Sequence, residues 1–336
     1  MTGRKWTKRA AVLLAVLAGV GAWAAANEAR LRARYAAHQL TAAPTDADRA
    51  RWADDLAARG APGFDRLIEF VKSGDDRARA ASLAALEKHL SALPENDPRA
   101  VTIGGSILSA YPGAQDPGKK TILALAPTIL KRTGGTHADR CRAVVADALK
   151  LPDPTARLAA VRLAIHPDIR LRTEVVPLLA AREPEVRGAS LFAVTAGPDG
   201  DQLLADDELF RWLHDPDAGV RKVCHDALVS RDRTDAEISL GQRLSHPDPT
   251  ERLKLLLDLR YDEVADPEPW LERLSRDVEP AVRAGAARVM VEVATGRKQP
   301  CPAWVARVSD ADAHPTVRFI AGYYRRLPVA APAGGP

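Results

Sequence analysis

A unit of about thirty residues recurs through this chain, and its recurrence restricts the fold more than any other property of the sequence. In the stretch HDPDAGVRKVCHDALVSR, His214 to Arg231, an Asp–Pro–Asp turn ends at Asp217, Arg221 follows four residues later, and Val220, Val223, Cys224, Ala227 and Leu228 return at helical spacing. An Asp before an apolar-periodic run is a helix start, because its carboxylate accepts the free N–H groups of the first turn. The same order of turn, acid, arginine and apolar periodicity reappears in DDRARAASLAAL, DPTARLAAVRLAI, EPEVRGASLFAV, DPTERLKLLLDL, EPAVRAGAARVM and HPTVRFIAGYY.

Taking the basic residue after each turn as a marker gives Arg79, Lys120, Arg157, Arg187, Arg221, Arg252, Arg283 and Arg318, the last five intervals being 30, 34, 31, 31 and 35 residues. Two helices of about 12 residues with two turns occupy about 30 residues, so each interval predicts one helical hairpin. No stretch alternates apolar and polar residues with period two, and alanine is abundant, so the chain is expected to be all-α: an α-α superhelical solenoid of about eight hairpins. The expected boundaries are a targeting segment over 1–26, a linker helix over 27–45, the repeats over 46–326 and a disordered tail over 327–336. Residues 94–135 hold so many prolines and glycines that a distorted repeat is expected there.

An acidic residue stands four positions before the marker at Asp75, Asp116, Asp153, Glu183, Asp217, Asp248 and Glu279, and only His314 departs from this. The pattern resembles HEAT-like repeats over about residues 46–326, particularly the short subtype of phycobilisome-lyase-like proteins. The Trp, Gly and Tyr pattern of tetratricopeptides and the TPLHxA core of ankyrins are missing. The resemblance implies that the acid and arginine ladder of Arg79, Arg157, Arg187, Arg221, Arg252, Arg283 and Arg318 holds repeats in register. It also implies a function drawn from interaction scaffolds, chaperone-like lyases or nucleic-acid readers.

The N-terminus carries Arg4, Lys5, Lys8 and Arg9, then seventeen residues, 10–26, without a charge. Seventeen apolar residues reach the lower limit of a spanning helix, and Ala24 and Ala26 fit a signal-peptidase site. Arg30, Arg32 and Arg34 on the far side oppose clean export, which favours an uncleaved single-pass anchor with extracytoplasmic repeats over secretion after cleavage. Residues 1–40 hold seven Lys/Arg and one Asp/Glu, leaving 41 basic and 43 acidic residues elsewhere, so the net charge of the repeats is −2. A nucleic-acid reader would place its basic stripe on that folded part, so no nucleic acid is expected as a partner.

Catalytic signatures such as GxSxG, HExxH, GxGxxG and the phosphate-binding loop are absent from the sequence, and no catalytic residue, metal site or cofactor is expected. Cys141, Cys224 and Cys301 are far apart and outside any CxxC pattern, so they read as small core residues. His166, His214, His246 and His314 fall at turns, where stacked helices would separate them by roughly 8–10 Å, too far to share a metal. The expected function is a membrane-tethered scaffold binding a protein partner, with a phycobilisome-lyase-like enzyme or chaperone as the alternative.

Helical periodicity also sorts the columns of the repeat. Three residues after each marker stand Ser82, Leu123, Ala160, Ser190, Cys224, Leu255, Ala286 and Ala321, all small or apolar, which places this column in the core. The positions one and five after the marker point the other way. The fifth reads Arg162, Phe192, Asp226, Leu257, Arg288 and Tyr323, a varied set that is either a binding stripe or packing against adjacent repeats.

Overall fold

The computed structural model describes residues 27–197, 203–261 and 264–326; the apolar segment 10–26 and the tail 327–336, with the expectations attached to them, lie outside the described residues. Every regular element among the described residues is helical, and none is a strand. In chain order the helices are α1 (Glu28–Ala42), α2 (Asp46–Ala58), α3 (Ala61–Ser73), α4 (Asp76–Ala92), α5 (Pro98–Ala110), α6 (Asp116–Thr133), α7 (Ala138–Ala148), α8 (Pro154–Ala164), α9 (Arg172–Val175) and α10 (Pro184–Thr195). They continue as α11 (Asp206–Leu209), α12 (Ala218–Val229), α13 (Asp235–Leu244), α14 (Pro249–Arg260), α15 (Glu268–Leu274), α16 (Pro280–Gly296), α17 (Ala303–Ala311) and α18 (Pro315–Arg326). Each marker falls on the second helix of a pair, from Arg79 on α4 to Arg318 on α18.

The chain divides into two compact units between Ala193 and Val194, a division that the even repeat spacing does not announce. In the first unit α2, α4, α6 and α8 lie side by side in sequence order, while α3, α5 and α7 form the facing layer. α1 packs against α2 through Ala33, Ala36 and Leu40, each no more than 1% exposed, so the segment expected as a linker helix shares the first core. In the second unit α14, α16 and α18 lie side by side, each paired with the helix before it. This is the all-α solenoid of stacked hairpins.

The helix starts follow from capping chemistry. Asp75, Asp153, Asp217 and Asp248 each accept a backbone N–H from the helix they precede, and proline at the first position of α8, α14, α16 and α18 removes an N–H that would have no partner there. The core column is buried throughout: Ser82, Leu123, Ala160, Ser190, Cys224, Leu255, Ala286 and Ala321 are all at most 1% exposed. Burying a leucine fully stabilises by about 1.5–3 kcal/mol, so Leu123 and Leu255 anchor their hairpins while small residues let neighbouring helices approach. The column one after the marker, expected on the outer face, is mixed: Ala80, Lys222 and Phe319 are exposed, whereas Thr121, Gly188 and Ala284 are buried.

Residues 94–135 correct a second expectation, because α5 and α6 form a regular hairpin joined by a short 3-10 turn over Tyr111–Gly113. The prolines and glycines serve close contacts. A Cβ on Gly118 would stand 2.7 Å from the carbonyl oxygen of Val71, so α6 begins against the end of α3. Gly134 ends α6 with φ +52°, and a Cβ there would strike Asn96. The weaker elements lie further on, where α9 and α11 make one turn each and continue as 3-10 segments over Val176–Ala180 and Phe210–His214.

Candidate functional site

The marker residues clamp successive turns. Nη1 of Arg187, Arg221, Arg252, Arg283 and Arg318 each donates to the two backbone carbonyls six and five positions earlier, for example Asp215 and Pro216 at 2.8 and 3.0 Å from Arg221. The remaining edge of the guanidinium reaches the following turn. Arg252 Nε and Nη2 meet both carboxylate oxygens of Asp277 at 2.6 and 2.9 Å, and Arg283 makes the same fork with Asp312 at 2.8 and 3.0 Å. In the first unit Lys120 reaches Asp153 at 3.6 Å and Arg157 reaches Glu183 at 2.9 Å.

The acceptor therefore differs between the units. In the first, Lys120 and Arg157 reach the acid four before the next marker while Arg79 pairs with Asp76 on its own helix at 2.6 Å; in the second it is the aspartate six before the next marker, in a column where Asp215, Asp277 and Asp312 recur. Those aspartates also accept the N–H two residues on, at 2.8 Å in each case. His246 occupies this column before Arg252 and does the same through Nδ1, at 3.1 Å from the Asp248 N–H. Its ring stands 5.0 Å from that of His214, nearer than helix spacing alone suggests, because His214 Nε2 also reaches across to the Gln242 carbonyl at 2.7 Å.

From Arg162 onward the fifth column lies outside the core, whereas Leu125, five after Lys120, is fully buried. Arg162, Asp226 and Arg288 are exposed, and Phe192, Leu257 and Tyr323 are 54%, 53% and 55% exposed. In the first unit Arg162 and Phe192 lie on α8 and α10, and Arg162 makes no ion pair among the described residues. In the second unit Asp226 is held by Lys222 at 2.8 Å. The adjacent helices α14, α16 and α18 carry a continuous strip. Leu257 and Tyr261 are one turn apart, Arg288 pairs with Glu292 at 2.9 Å and lies 5.1 Å over the ring of Tyr324, and Tyr323 meets Tyr324 edge-on at 5.4 Å. Glu292 is also 2.8 Å from Arg260, in ion-pair contact though outside hydrogen-bond geometry. Tyr261 and Glu292 belong to this strip and were not picked out by periodicity, because both lie off the fifth column.

In the first unit a cavity of about 500 Å³ lies among α3, the end of α4 and α5, with Phe64, Ile68 and Ile103 as apolar lining. His89 faces it with its ring 4.7 Å from Phe64; burial and the nearby Arg99 charge both push its pKa down, so it is neutral at pH 7. It has no carboxylate within ion-pair distance among the described residues. Cys141 and Cys224 are buried in the core, and burial pushes both thiols up to about 12. Cys301 is exposed, contrary to its expected core position, because it precedes α17 in the turn. No group of three His, Cys, Asp or Glu side chains among the described residues converges as metal ligands.

No family model and no curated protein matches the chain. Among solved structures, the crystal structure of an engineered protein from the Northeast Structural Genomics Consortium is similar at 16% identity, covering 87% of each chain with a TM-score of 0.37. On its own geometry the chain is an all-helical repeat protein.

Proposed function

We propose that this protein is a membrane-tethered scaffold of the short HEAT-like type, and that it holds a protein partner on the outer face of α14, α16 and α18. The carrying observation is the contrast between two columns of one repeat. The third position after the marker is buried in every hairpin, whereas the fifth, buried as Leu125 in the Lys120 hairpin, is exposed at all six positions from Arg162 to Tyr323 and changes its chemistry from step to step. Folding accounts for the first column and places no burial demand on the second from Arg162 onward. A strip of half-exposed Leu257, Tyr261 and Tyr323 around the Arg288 guanidinium has the aromatic and arginine composition that concentrates binding energy. The cationic flank and uncharged run of residues 4–26 support a tether. No helix of the described residues is long and apolar enough to cross a membrane, so the tether rests on that segment.

The test is affinity capture from membranes with the full-length protein, comparing wild type with a Leu257→Ala, Arg288→Ala, Tyr323→Ala variant. The variant is expected to lose its partner while remaining in the pellet after an alkaline carbonate wash. Capture unchanged by the three substitutions overturns the assigned face, and release of the full-length protein by carbonate overturns the tether.

A further inference from the structure

Two features join α14 to α16 and α16 to α18. One is apolar: the residues one and four after the marker point at the next marker helix. On α14 these are Leu253 and Leu256, and a Cβ on Gly285 of α16 would stand 2.5 Å from Cδ1 of Leu256 and 3.9 Å from Cδ2 of Leu253. Leu256 is buried there, as are Ala284 and Ala287 in the same columns of α16, which α18 packs beside. The other feature is polar, the fork of Arg252 onto Asp277 and of Arg283 onto Asp312 in the turn of the hairpin that follows.

At α18 both features are left open. Phe319 and Gly322 hold the two columns; Phe319 is 74% exposed, and a Cβ on Gly322 would meet nothing within 4 Å. Arg318 keeps its two backbone carbonyls through Nη1, but its Nε and Nη2, the edge that forks in Arg252 and Arg283, make no hydrogen bond or ion pair among the described residues. Arg318, Phe319, Gly322, Tyr323 and Arg326 line a shared hollow of about 280 Å³. A terminal helix of a solenoid keeps the molecule soluble by turning a polar face outward. α18 instead turns out an aromatic face with a guanidinium at each end.

We infer that this end face receives a helical hairpin of a protein partner, its apolar side on Phe319 and Gly322 and a carboxylate in its turn on the open edge of Arg318. The occupant follows from the molecule's own repeat, in which that apolar column and that fork are completed together by one hairpin. Charge separates such a partner from a second copy of the chain. Two α18 helices packed antiparallel about Gly322 would set Arg318 against Arg326 at both ends, and α1, the first helix of the repeats, exposes Arg30, Arg32 and Arg34. The inference adds an end face to the outer strip of the scaffold reading and needs neither Leu257 nor Arg288.

The probe is a fluorescein-labelled synthetic peptide of residues 264–296, the hairpin that carries Asp277, added to the full chain in detergent micelles and followed by fluorescence anisotropy. In the folded chain that Asp277 is buried on Arg252, so the free peptide stands in for a partner's hairpin. Phe319→Ser is expected to weaken binding about ten-fold, and Leu257→Ala with Arg288→Ala less than about two-fold, with melting temperatures confirming that both variants fold. Asp277→Asn in the peptide should weaken binding about five-fold to wild type and leave binding to Arg318→Ala unchanged, since the two groups form one fork. No binding, or an equal effect of Asp277→Asn on wild type and on Arg318→Ala, overturns the site. Binding that appears only after residues 327–336 are deleted overturns the partner in favour of that segment, and a dimer in sedimentation velocity that Phe319→Ser dissolves overturns it in favour of a second copy. Capture lost through Leu257 and Arg288 while the peptide still binds would sink the outer strip alone, so the two readings fail separately.

Discussion

Replacing Arg252 with alanine is expected to destabilise the second unit by about 3 kcal/mol or more. Its side chain and that of Asp277 are each 9% exposed, so removing the guanidinium leaves a carboxylate buried without its counter-ion. Breaking such a buried pair from one side costs roughly 3–5 kcal/mol, most of it the penalty of the charge left behind. At roughly 2–4 °C per kcal/mol, the transition should fall by about 6–12 °C in calorimetry. The internal comparison is Arg221→Ala, which removes the same two carbonyl contacts but orphans no carboxylate. It is expected to cost about 1–2 kcal/mol, in the range of hydrogen bonds from a charged donor. Asp277→Asn keeps an acceptor for the Glu279 N–H at 2.8 Å and removes only the charge, so combining it with Arg252→Ala should recover about 2 kcal/mol in a double-mutant cycle. Urea titrations followed by circular dichroism measure all four. Equal losses for Arg221→Ala and Arg252→Ala would refute the claim that the fork onto the next turn, rather than the carbonyl contacts, holds the hairpins together.

Asp312 gives the ladder a pH dependence: hydrogen bonds from Arg283, opposed by partial burial and reinforced by the His314 N–H and the Arg283 charge, hold its carboxyl below the usual range. A depressed folded pKa contributes stability that is complete above the unfolded value of about 3.9 and is lost as pH falls through the folded value. The stability advantage of wild type over Asp312→Asn should therefore be constant from about pH 7 to 5 and shrink below about pH 4; an advantage that grows on acidification contradicts the assignment. Gly63→Ala should destabilise by more than about 1 kcal/mol, since its Cβ would stand 1.8 Å from the Leu56 carbonyl oxygen, whereas Gly322→Ala, with open space around the new methyl, should stabilise α18 by about 0.5–1 kcal/mol; denaturant midpoints decide both.

The hairpins and the core column were legible because both are local. Capping acids and a 3.6-residue period depend on neighbours within one helix, and Leu255 or Ala286 could be placed from spacing alone. The regular hairpin at 94–135 was hidden because its glycines and prolines serve contacts distant in sequence, such as Gly118 on Val71 and Gly134 on Asn96. The clamp was half legible for a similar reason. Spacing identified Arg252 and Arg283 as markers, but the choice of Asp277 over Glu279 two residues later depends on how far one turn lies from the next, and Asp312 stands where the residue two later, His314, is no acid. Exposure of Leu257 and Tyr323 followed from helical phase, yet the bridge from Arg260 through Glu292 to Arg288 needed the side-by-side packing of α14 and α16.

Leu255 and Leu257 test the division between core and outer face most directly, since they are the same residue type two positions apart on α14, one 0% and the other 53% exposed. Denaturant midpoints and partner capture are measured on the same two preparations of full-length protein. Leu255→Ala is expected to cost about 2–5 kcal/mol, and Leu257→Ala to stay within about 0.5 kcal/mol of wild type while weakening capture. A Leu257→Ala variant that loses as much stability as Leu255→Ala, or that keeps both its stability and its partner, would contradict the account.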